Sequence, residues 1–443
     1  MRSAAVKKGL SLALGVAFTM AASAHTASAQ ESGVAEAQAS AKSSPLSAEA
    51  SLAFGQALRR AGHEAEALTE LRRGLAVSGG RGEIAGLVQW EIARTFIARR
   101  EFEPAMGTCR AMAKMPLATG ADVASHVCAA EAHLLWRRGT EASAEVAEVA
   151  KVKAPSAVVQ YFAKIAGGRA LELASKEAEA EAAYREAIRI AESRPDAYVL
   201  LGTMLRRTGR DGLPSIKKAV ELDAHDSVAQ LELGRSLPGG SSESIAALER
   251  AVAERPTFTD ALRPLADGYV TANRLVDAKR TVDAILKAAP NDVATHVVSG
   301  RLALAEGRTD EAIKEGEKAS KLMPNDEPAR LLVADAWAKK GEIDLALEAY
   351  QAAFGLDHSD PAPLVNASQA CLAAGRVTSA KAFGVRATKN FAESAGAWTA
   401  LGDALAADRD VPGAKAAYEN AKKSRGVDAA MSDRIDRKIS KLK

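Results

Sequence analysis

Residues 334–353 read ADAWAKKGEIDLALEAYQAA, and the spacing of the small residues in this stretch decides the fold. Ala334, Gly341 and Ala346 each have another small residue 34 positions before them and 34 positions after them. Agreement at three positions in both directions indicates a repeated unit of 34 residues. The chain of 443 residues is therefore predicted to be one array of similar units, although its length alone would suggest about three domains.

The same step of 34 residues runs through the second half of the chain in three columns. The alanine column is Ala278, Ala312, Ala346, Ala380 and Ala414. The column of small residues is Ala266, Gly300, Ala334, Ser368 and Gly402, and the proline column is Pro256, Pro290 and Pro324. Because the distance between packed helices depends on the side chains at their contact, small columns predict closely packed helices.

Each unit has the pattern of two helices joined by a tight turn. Leu262, Leu265 and Tyr269 follow the i, i+3, i+7 spacing of one helix face, and Val282 and Leu286 lie one turn apart on the next helix. The proline column ends the second helix, because proline cannot continue the hydrogen-bond ladder. The glycine at the turn suits the left-handed conformation that follows a helix end. An all-α protein built from antiparallel helix pairs is predicted.

These residues resemble the tetratricopeptide repeat (TPR) family, in which a large apolar residue, Leu-Gly, Gly, Ala, an aromatic residue and Ala recur in order. Trp398, Leu401, Gly402, Ala414 and Tyr418 match that order well. The resemblance implies an α-solenoid, a right-handed superhelix of antiparallel helix pairs, and an exported protein of bacterial type. It implies about six irregular units at residues 48–258, five regular units at 259–428 and a capping helix at 429–443.

The amino terminus has the three-part pattern of a secretory signal peptide. Arg2, Lys7 and Lys8 precede an apolar run of about 16 residues, and small residues then allow cleavage after Ala24 or Ala29. The alternative is an uncleaved anchor, although the run is shorter than the roughly 20 residues of a spanning helix. We predict a signal peptide at residues 1–29, a flexible leader at 30–47, and export to the periplasm or extracellular space without a membrane-spanning segment after cleavage.

The charge balance argues against a nucleic-acid partner. The formal net charge is +3, and the three basic residues of the predicted signal peptide account for all of it. The remaining chain has 56 basic and 56 acidic residues, without the basic surplus that nucleic-acid binding needs. A protein partner is expected instead, and the sequence leaves the oligomeric state open.

No sequence motif points to catalysis. The chain has no phosphate-binding glycine loop, nucleophile elbow or His-Glu-x-x-His pair. Only His126, Cys128 and His133 cluster, with Cys109 on a neighbouring helix, and packed helix residues explain them better than a metal site does. The predictions are no enzyme activity, no cofactor and no metal.

Cys109 and Cys128 are expected on neighbouring helices of successive units. A disulfide between them would persist in an oxidising compartment. The alternative is a pair of separately packed thiols. Cys371 shares its column with Tyr269 and Trp337, and is predicted to be a core thiol.

Basic doublets recur near the ends of first helices, among them Arg137-Arg138 and Arg206-Arg207. One explanation is that cations complement the negative end of the helix dipole. The other is an anion-attracting rim formed by Arg137, Arg138, Arg206 and Arg207.

In TPR proteins the first helices line a concave groove, and the resemblance implies which positions would face a partner here. Apolar residues among charged ones suit an extended peptide or a helix. The Lys/Asn/Arg set by which some TPR domains clamp a carboxylate is not matched. The implied positions are Arg263, Asp267, Val297, Arg301, Leu304, Leu331, Asp335, Lys339, Val365, Gln369, Leu372 and Asp403.

The leading functional hypothesis is a non-enzymatic protein-interaction scaffold of the periplasm or cell envelope. A first alternative is an assembly or export factor for envelope polysaccharide or outer-membrane machinery, which rests on analogy alone. A second alternative is an enzyme whose site the sequence does not reveal.

Overall fold

The regular structure of the described residues is entirely α-helical in this computed structural model. Residues 1–27 of the predicted signal peptide, with the first of its two cleavage positions, lie outside the residues that the structure describes. Those residues are 28–115, 121–151, 157–424, 427 and 429–442.

Eleven helix pairs follow one another along the described chain, with one helix before them and one after them. The flanking helices are α1 (Ser28–Ser43) and α24 (Ala429–Ser440). The first helices of the pairs are α2 (Ala48–Arg60), α4 (Gly82–Ala98), α6 (Ala121–Leu135), α8 (Ala157–Leu173), α10 (Pro195–Arg207), α12 (Ser227–Ser236), α14 (Thr259–Thr271), α16 (Val293–Ala305), α18 (Glu327–Lys340), α20 (Ala362–Ala373) and α22 (Ala395–Ala407). The second helices are α3 (Glu64–Val77), α5 (Phe102–Ala113), α7 (Gly139–Ala150), α9 (Glu177–Ile190), α11 (Leu213–Leu222), α13 (Ser242–Glu254), α15 (Leu275–Ala288), α17 (Thr309–Leu322), α19 (Ile343–Leu356), α21 (Val377–Asn390) and α23 (Val411–Lys423).

The chain divides into two compact units. Unit 1 comprises Met1–Ala261 and unit 2 comprises Leu262–Lys443. Of the helices in the described residues, none combines the length and apolar character needed to cross a bilayer.

The turns within the pairs have the predicted left-handed backbone. Gly307, Gly341 and Gly375 have φ values of 82°, 91° and 74°. Asn273 and Arg409 take the same place in their own pairs with φ values of 57° and 64°. Glycine adopts this conformation without steric cost, which explains why it occupies the turn in three successive pairs.

Small residues bring the two helices of each pair together, as the columns predict. Ala266 and Ala334 are fully buried. A Cβ atom added at Gly402 would lie 2.5 Å from Cε1 of Tyr418 on the partner helix. Larger side chains would therefore force the helices of a pair apart.

The substitution Ala346→Leu is expected to lower the free energy of unfolding by about 1–3 kcal/mol, because it overpacks a filled site. Ala346 is fully buried against Ala334, Tyr350 and Ala367. Urea denaturation of the variant would measure the loss. A denaturation midpoint equal to that of the unmodified chain would refute the assignment of this column to the core.

The predicted flexible leader at residues 30–47 is wrong over most of its length. Residues Ser28–Ser43 form helix α1, which contacts α2 and α13 and buries Ala41. The leader lacks apolar periodicity, but it is rich in Ala, Glu and Gln, which have high helix propensity. Helix propensity, together with the contacts to α2 and α13, explains the helix at this segment.

The fifth pair is held together by two backbones that approach without side chains between them. Gly202 lies in α10 and Gly212 caps the start of α11. A Cβ atom added at Gly202 would lie 2.8 Å from the carbonyl oxygen of Gly212. The second helix, α11, has only ten residues, so this pair is shorter than those of unit 2.

Candidate partner-binding surface

The first helices of unit 2 form a row of charged side chains that bond from one helix to the next. Arg301 donates to Asp267 at 2.9 Å, although the two residues are 34 positions apart. Arg263 donates to Asp292 at 2.8 Å, and the Lys339 ammonium donates to the carbonyl oxygen of Leu304 at 2.6 Å. Side chains of successive first helices therefore belong to one continuous surface.

Two aspartates of this row accept hydrogen bonds from tyrosines of their own pair. The Tyr350 hydroxyl donates to Asp335 at 2.6 Å, and the Tyr418 hydroxyl donates to Asp403 at 2.6 Å. Burial raises the pKa of both tyrosines, and the neighbouring carboxylates raise it further. These phenols therefore stay protonated and act as fixed donors that orient the aspartates.

Asp335 and Asp403 each accept a further hydrogen bond from the helix that follows their own pair. The Asn366 amide donates to Asp335 at 3.0 Å. The Lys438 ammonium, on the capping helix, donates to both oxygens of Asp403 at 2.6 and 2.9 Å. Burial raises the pKa of Asp335, while the bonds from Tyr350 and Asn366 oppose that rise.

Apolar side chains lie among these charges. Leu304, Leu331, Val365 and Leu372 are half-buried, and each packs on a core cluster while keeping part of its surface exposed. Gln369 is exposed.

The prediction that Val297 faces the groove is wrong. Its side chain is 4% exposed and packs against Ala319 and Ala329. The other predicted positions form what is called here the groove surface. They are Arg263, Asp267, Arg301, Leu304, Leu331, Asp335, Lys339, Val365, Gln369, Leu372 and Asp403.

Glu327 stands at the edge of the groove surface, in the first turn of α18. Burial raises its pKa to about 7, and Asp360, Asp357 and Asp326 contribute to the rise. Arg301 opposes it. Near neutral pH this carboxyl therefore carries only part of its charge.

The variant Glu327→Gln is expected to be more stable than the unmodified chain at pH 8 and equal to it at pH 4.5. Because the pKa is raised from 4.5 to about 7, the folded state holds this proton more tightly than the unfolded state does. The unmodified chain thus loses stability as the pH rises from 4.5 through 7, and the variant is spared that loss. Urea midpoints across this range would measure the difference.

Glu317→Gln is a matched control, because Glu317 is exposed on the neighbouring helix α17. Its urea midpoint should follow that of the unmodified chain at every pH. The same pH-dependent gain in both variants would contradict the assignment to Glu327.

Two of the four residues of the predicted anion rim bond to carboxylates. The Arg206 guanidinium donates to Glu232 at 2.7 Å, and Arg207 donates to Glu172. The Arg138 guanidinium lies 4.2 Å from the centroid of the Phe102 ring, and Arg137 occupies a turn with a φ of 57°. Residues far away in sequence supply the contacts of Arg138, Arg206 and Arg207, and an anion-attracting rim stays a prediction.

Cys109 and Cys128 are joined by a disulfide, with their Cα atoms 5.6 Å apart. Both residues are fully buried, and the bond ties α5 to α6. Cys371 is a buried free thiol.

The cluster around His126 does not form a group of metal ligands. The Nδ1 atom of His126 lies 2.6 Å from a carboxylate oxygen of Glu145. Among the described residues, no three His, Cys, Asp or Glu side chains are grouped so as to hold a metal ion.

A second set of charged residues, on the first helices of unit 1, was missed by the sequence reasoning. Arg94 of α4, Glu131 of α6, Arg169 of α8 and Asp196 of α10 interact electrostatically. Burial raises the pKa of Glu131, and Asp196 adds to the rise, while Arg94 and Arg169 oppose it. Arg94, Glu131 and Arg169 are spaced by 37 and 38 residues, so columns with a step of 34 do not align them.

Pairs of antiparallel helices stacked in sequence order, with closely packed small residues, define an α-solenoid. Residues 242–296 and 303–364 match the family model of the tetratricopeptide repeat. The chain consists of tetratricopeptide repeats in these two stretches, and the predicted fold class, an all-α solenoid of antiparallel helix pairs, is confirmed.

Several solved structures are similar to this chain at low sequence identity. Yeast Tom70 is 12% identical with a TM-score of 0.45, over 89% of this chain and 95% of that chain. The APC/C hetero-tetramer Cut9-Hcn1 is 14% identical with a TM-score of 0.44, over 89% of this chain and 84% of that chain. A tetratricopeptide repeat protein from Parabacteroides merdae is 16% identical with a TM-score of 0.42, over 63% of this chain and 99% of that chain. Comparison with curated proteins finds no match.

Proposed function

We propose that this protein is a non-enzymatic scaffold of the periplasm or cell envelope, which binds an extended peptide or a helical segment of a partner protein along the groove surface. Tetratricopeptide repeats and the helix-pair array support a protein-interaction scaffold. The observation that carries the proposal is the row of half-buried apolar residues, Leu304, Leu331, Val365 and Leu372, set among oriented charges. Apolar anchors give affinity, and fixed polar groups give register.

Two observations support a location outside the cytosol. The amino-terminal pattern is typical of a secretory signal peptide. The buried Cys109–Cys128 disulfide would form and persist in an oxidising compartment. Fractionation of the producing cell, with the mass of the mature chain, would test this part of the proposal. A chain that retains residues 1–24 in the cytosol would overturn it.

Photo-cross-linking tests the groove itself. A benzophenone amino acid placed at Gln369, which is exposed on the groove surface, should capture a partner in the producing cell. The same amino acid placed at Gln351, which is exposed on the second helix α19, is the matched control and should capture none. Mass spectrometry of the adducts would identify the partner.

Substitutions on the same helix pairs give a second test. Leu331→Glu with Leu372→Glu introduces charge at two half-buried groove positions and should abolish the adduct at residue 369. Leu345→Glu with Val385→Glu makes the same change at side chains that are 44% and 49% exposed on second helices. Equal capture by both double variants, at unchanged melting temperature, would refute binding in the groove.

A further inference from the structure

A cleft of about 560 Å³ lies at the eleventh helix pair, between the turn that leads into α22 and the end of α23. Small-molecule sites in proteins commonly have volumes of about 300–1,000 Å³, so this cleft is large enough to hold a ligand. It is open to solvent. Its walls are formed by Ala392, Glu393, Trp398, Asn420, Lys423 and Ser424.

Trp398 forms the aromatic wall of the cleft in a fixed orientation. The Ser394 hydroxyl caps the start of α22 by accepting from the Ala397 amide at 3.3 Å, which places Trp398 in the first turn of the helix. The Trp398 indole nitrogen donates to the carbonyl oxygen of Ala392 at 2.7 Å, and its half-buried ring packs against the core cluster that includes Tyr418. Because the ring is already ordered, a ligand that contacts it does not have to immobilise it.

Three polar side chains of the cleft have no bonds to other described residues. Glu393 and Lys423 are exposed, and neither forms an ion pair within the part of the chain that the structure describes. The side-chain amide of Asn420 has no hydrogen bond there either. A hydrogen-bond acceptor, a donor and a group that is both are thus free to bind a ligand beside the Trp398 ring.

The chemistry of these groups favours a neutral ligand with many hydroxyl groups. The Glu393 carboxylate only accepts hydrogen bonds, the Lys423 ammonium only donates them, and the Asn420 amide does both. An anionic ligand would be repelled by Glu393, and a cationic one by Lys423. A hydroxyl group both donates and accepts, so a ligand with several of them can satisfy all three side chains without bringing a charge.

The Trp398 ring adds a second requirement, which is an apolar face on the same ligand. The face of an aromatic ring is apolar and carries partial negative charge, so it attracts the slightly positive hydrogen atoms of C–H bonds. A pyranose ring meets both requirements, because its hydroxyl groups lie around its rim and its C–H bonds lie on its faces.

We propose that this cleft binds a neutral carbohydrate, with a pyranose ring stacked on Trp398. Glu393 accepts hydrogen bonds from the hydroxyl groups of the sugar, and Asn420 and Lys423 donate to them. The inference does not rest on the proposed peptide-binding function, because the cleft contains no residue of the groove surface. It adds a ligand of a second chemical class, and a scaffold with both sites would hold a partner protein and a saccharide on the same chain.

Isothermal titration calorimetry with neutral hexasaccharides tests the proposal on the unmodified full chain. The probes are linear hexasaccharides of glucose, of galactose, of mannose and of N-acetylglucosamine, each added to about 10 mM. We expect saturable binding of at least one of them, with a Kd of about 1 mM or below. A lack of saturable binding for all of these hexasaccharides at that concentration would overturn the proposal without any variant having to fold.

The double variant Asn420→Ala with Lys423→Ala should weaken binding of that hexasaccharide by about tenfold or more, because it removes two hydrogen bonds, one of them from a charged donor. Lys389→Ala with Asn390→Ala is the matched control, because it removes the same two residue types from exposed positions at the end of the neighbouring second helix α21. It should leave binding unchanged. Undiminished binding by the first double variant, or an equal loss in both, would refute the assignment to this cleft.

Trp398→Leu tests the stacking contact, because leucine keeps an apolar side chain against the core but has no aromatic face. Binding should weaken by about tenfold, and an unchanged Kd would contradict the contact. If circular dichroism shows that this variant does not fold, the double variant of Asn420 and Lys423 decides. The groove variant Leu331→Glu with Leu372→Glu should bind the hexasaccharide with an unchanged Kd, so failure of the cleft is distinguishable from failure of the groove.

Discussion

Replacing Gly212 with alanine is expected to lower the free energy of unfolding by about 3 kcal/mol. A Cβ atom at residue 212 would lie 2.8 Å from the carbonyl carbon of Gly202 and closer still to its oxygen. Both atoms belong to the backbone of α10, so no side-chain rotation can relieve the clash. Helices α10 and α11 would have to separate, which would disturb the packing of Ile216 against Gly202.

Urea denaturation followed by circular dichroism would measure this loss. Gly239→Ala is the matched control, because an added Cβ atom there meets nothing within 4 Å. Its effect should stay within about 0.5 kcal/mol. A Gly212→Ala variant as stable as this control would show that the backbones of the fifth pair do not approach as described.

Removing the disulfide is the other change with a large expected effect. The double variant Cys109→Ala with Cys128→Ala should lose about 3 kcal/mol, because the bond closes a loop between residues 19 positions apart. Loss of packing at two fully buried sulfur atoms would add to the effect. The difference between oxidised and reduced chains in melting temperature would measure the contribution of the bond alone.

Cys371→Ala separates this contribution from that of a buried thiol. Cys371 is free and buried, so this variant should respond to a reductant as strongly as the unmodified chain does. The Cys109→Ala, Cys128→Ala variant should not respond at all. A reductant that leaves the melting temperature of the unmodified chain unchanged would contradict a stabilising disulfide.

The helix pairs could be predicted because a steric requirement recurs at the same place in each unit. Gly341 needs a left-handed backbone, and Gly402 must leave room for Tyr418, so both requirements are visible as columns. The hydrogen bonds from the tyrosines to the aspartates could also have been predicted from the sequence. Tyr350 and Tyr418 each follow an aspartate by 15 residues, and that shared spacing would have predicted their hydrogen bonds to Asp335 and Asp403.

Other features depend on geometry that a repeat period does not contain. Val297 and Leu331 share a column, yet Val297 is buried and Leu331 is half-exposed. Residues of one sequence column therefore differ in exposure, which a repeat period alone does not predict. The charged residues on the first helices of unit 1 were missed because they follow irregular steps, and the ion pair between Glu64 and Arg255 was missed because it joins distant parts of the sequence.

The Cys109–Cys128 bond also changes what a protease can do to this chain. Hydrolysis of any single peptide bond between these two residues would leave the two pieces joined as one covalent molecule. Gel electrophoresis without reductant would then show an intact mass, and the cut would appear only after reduction. A single cut between Cys109 and Cys128 would therefore leave one covalent molecule, whereas a cut elsewhere in the chain would leave two.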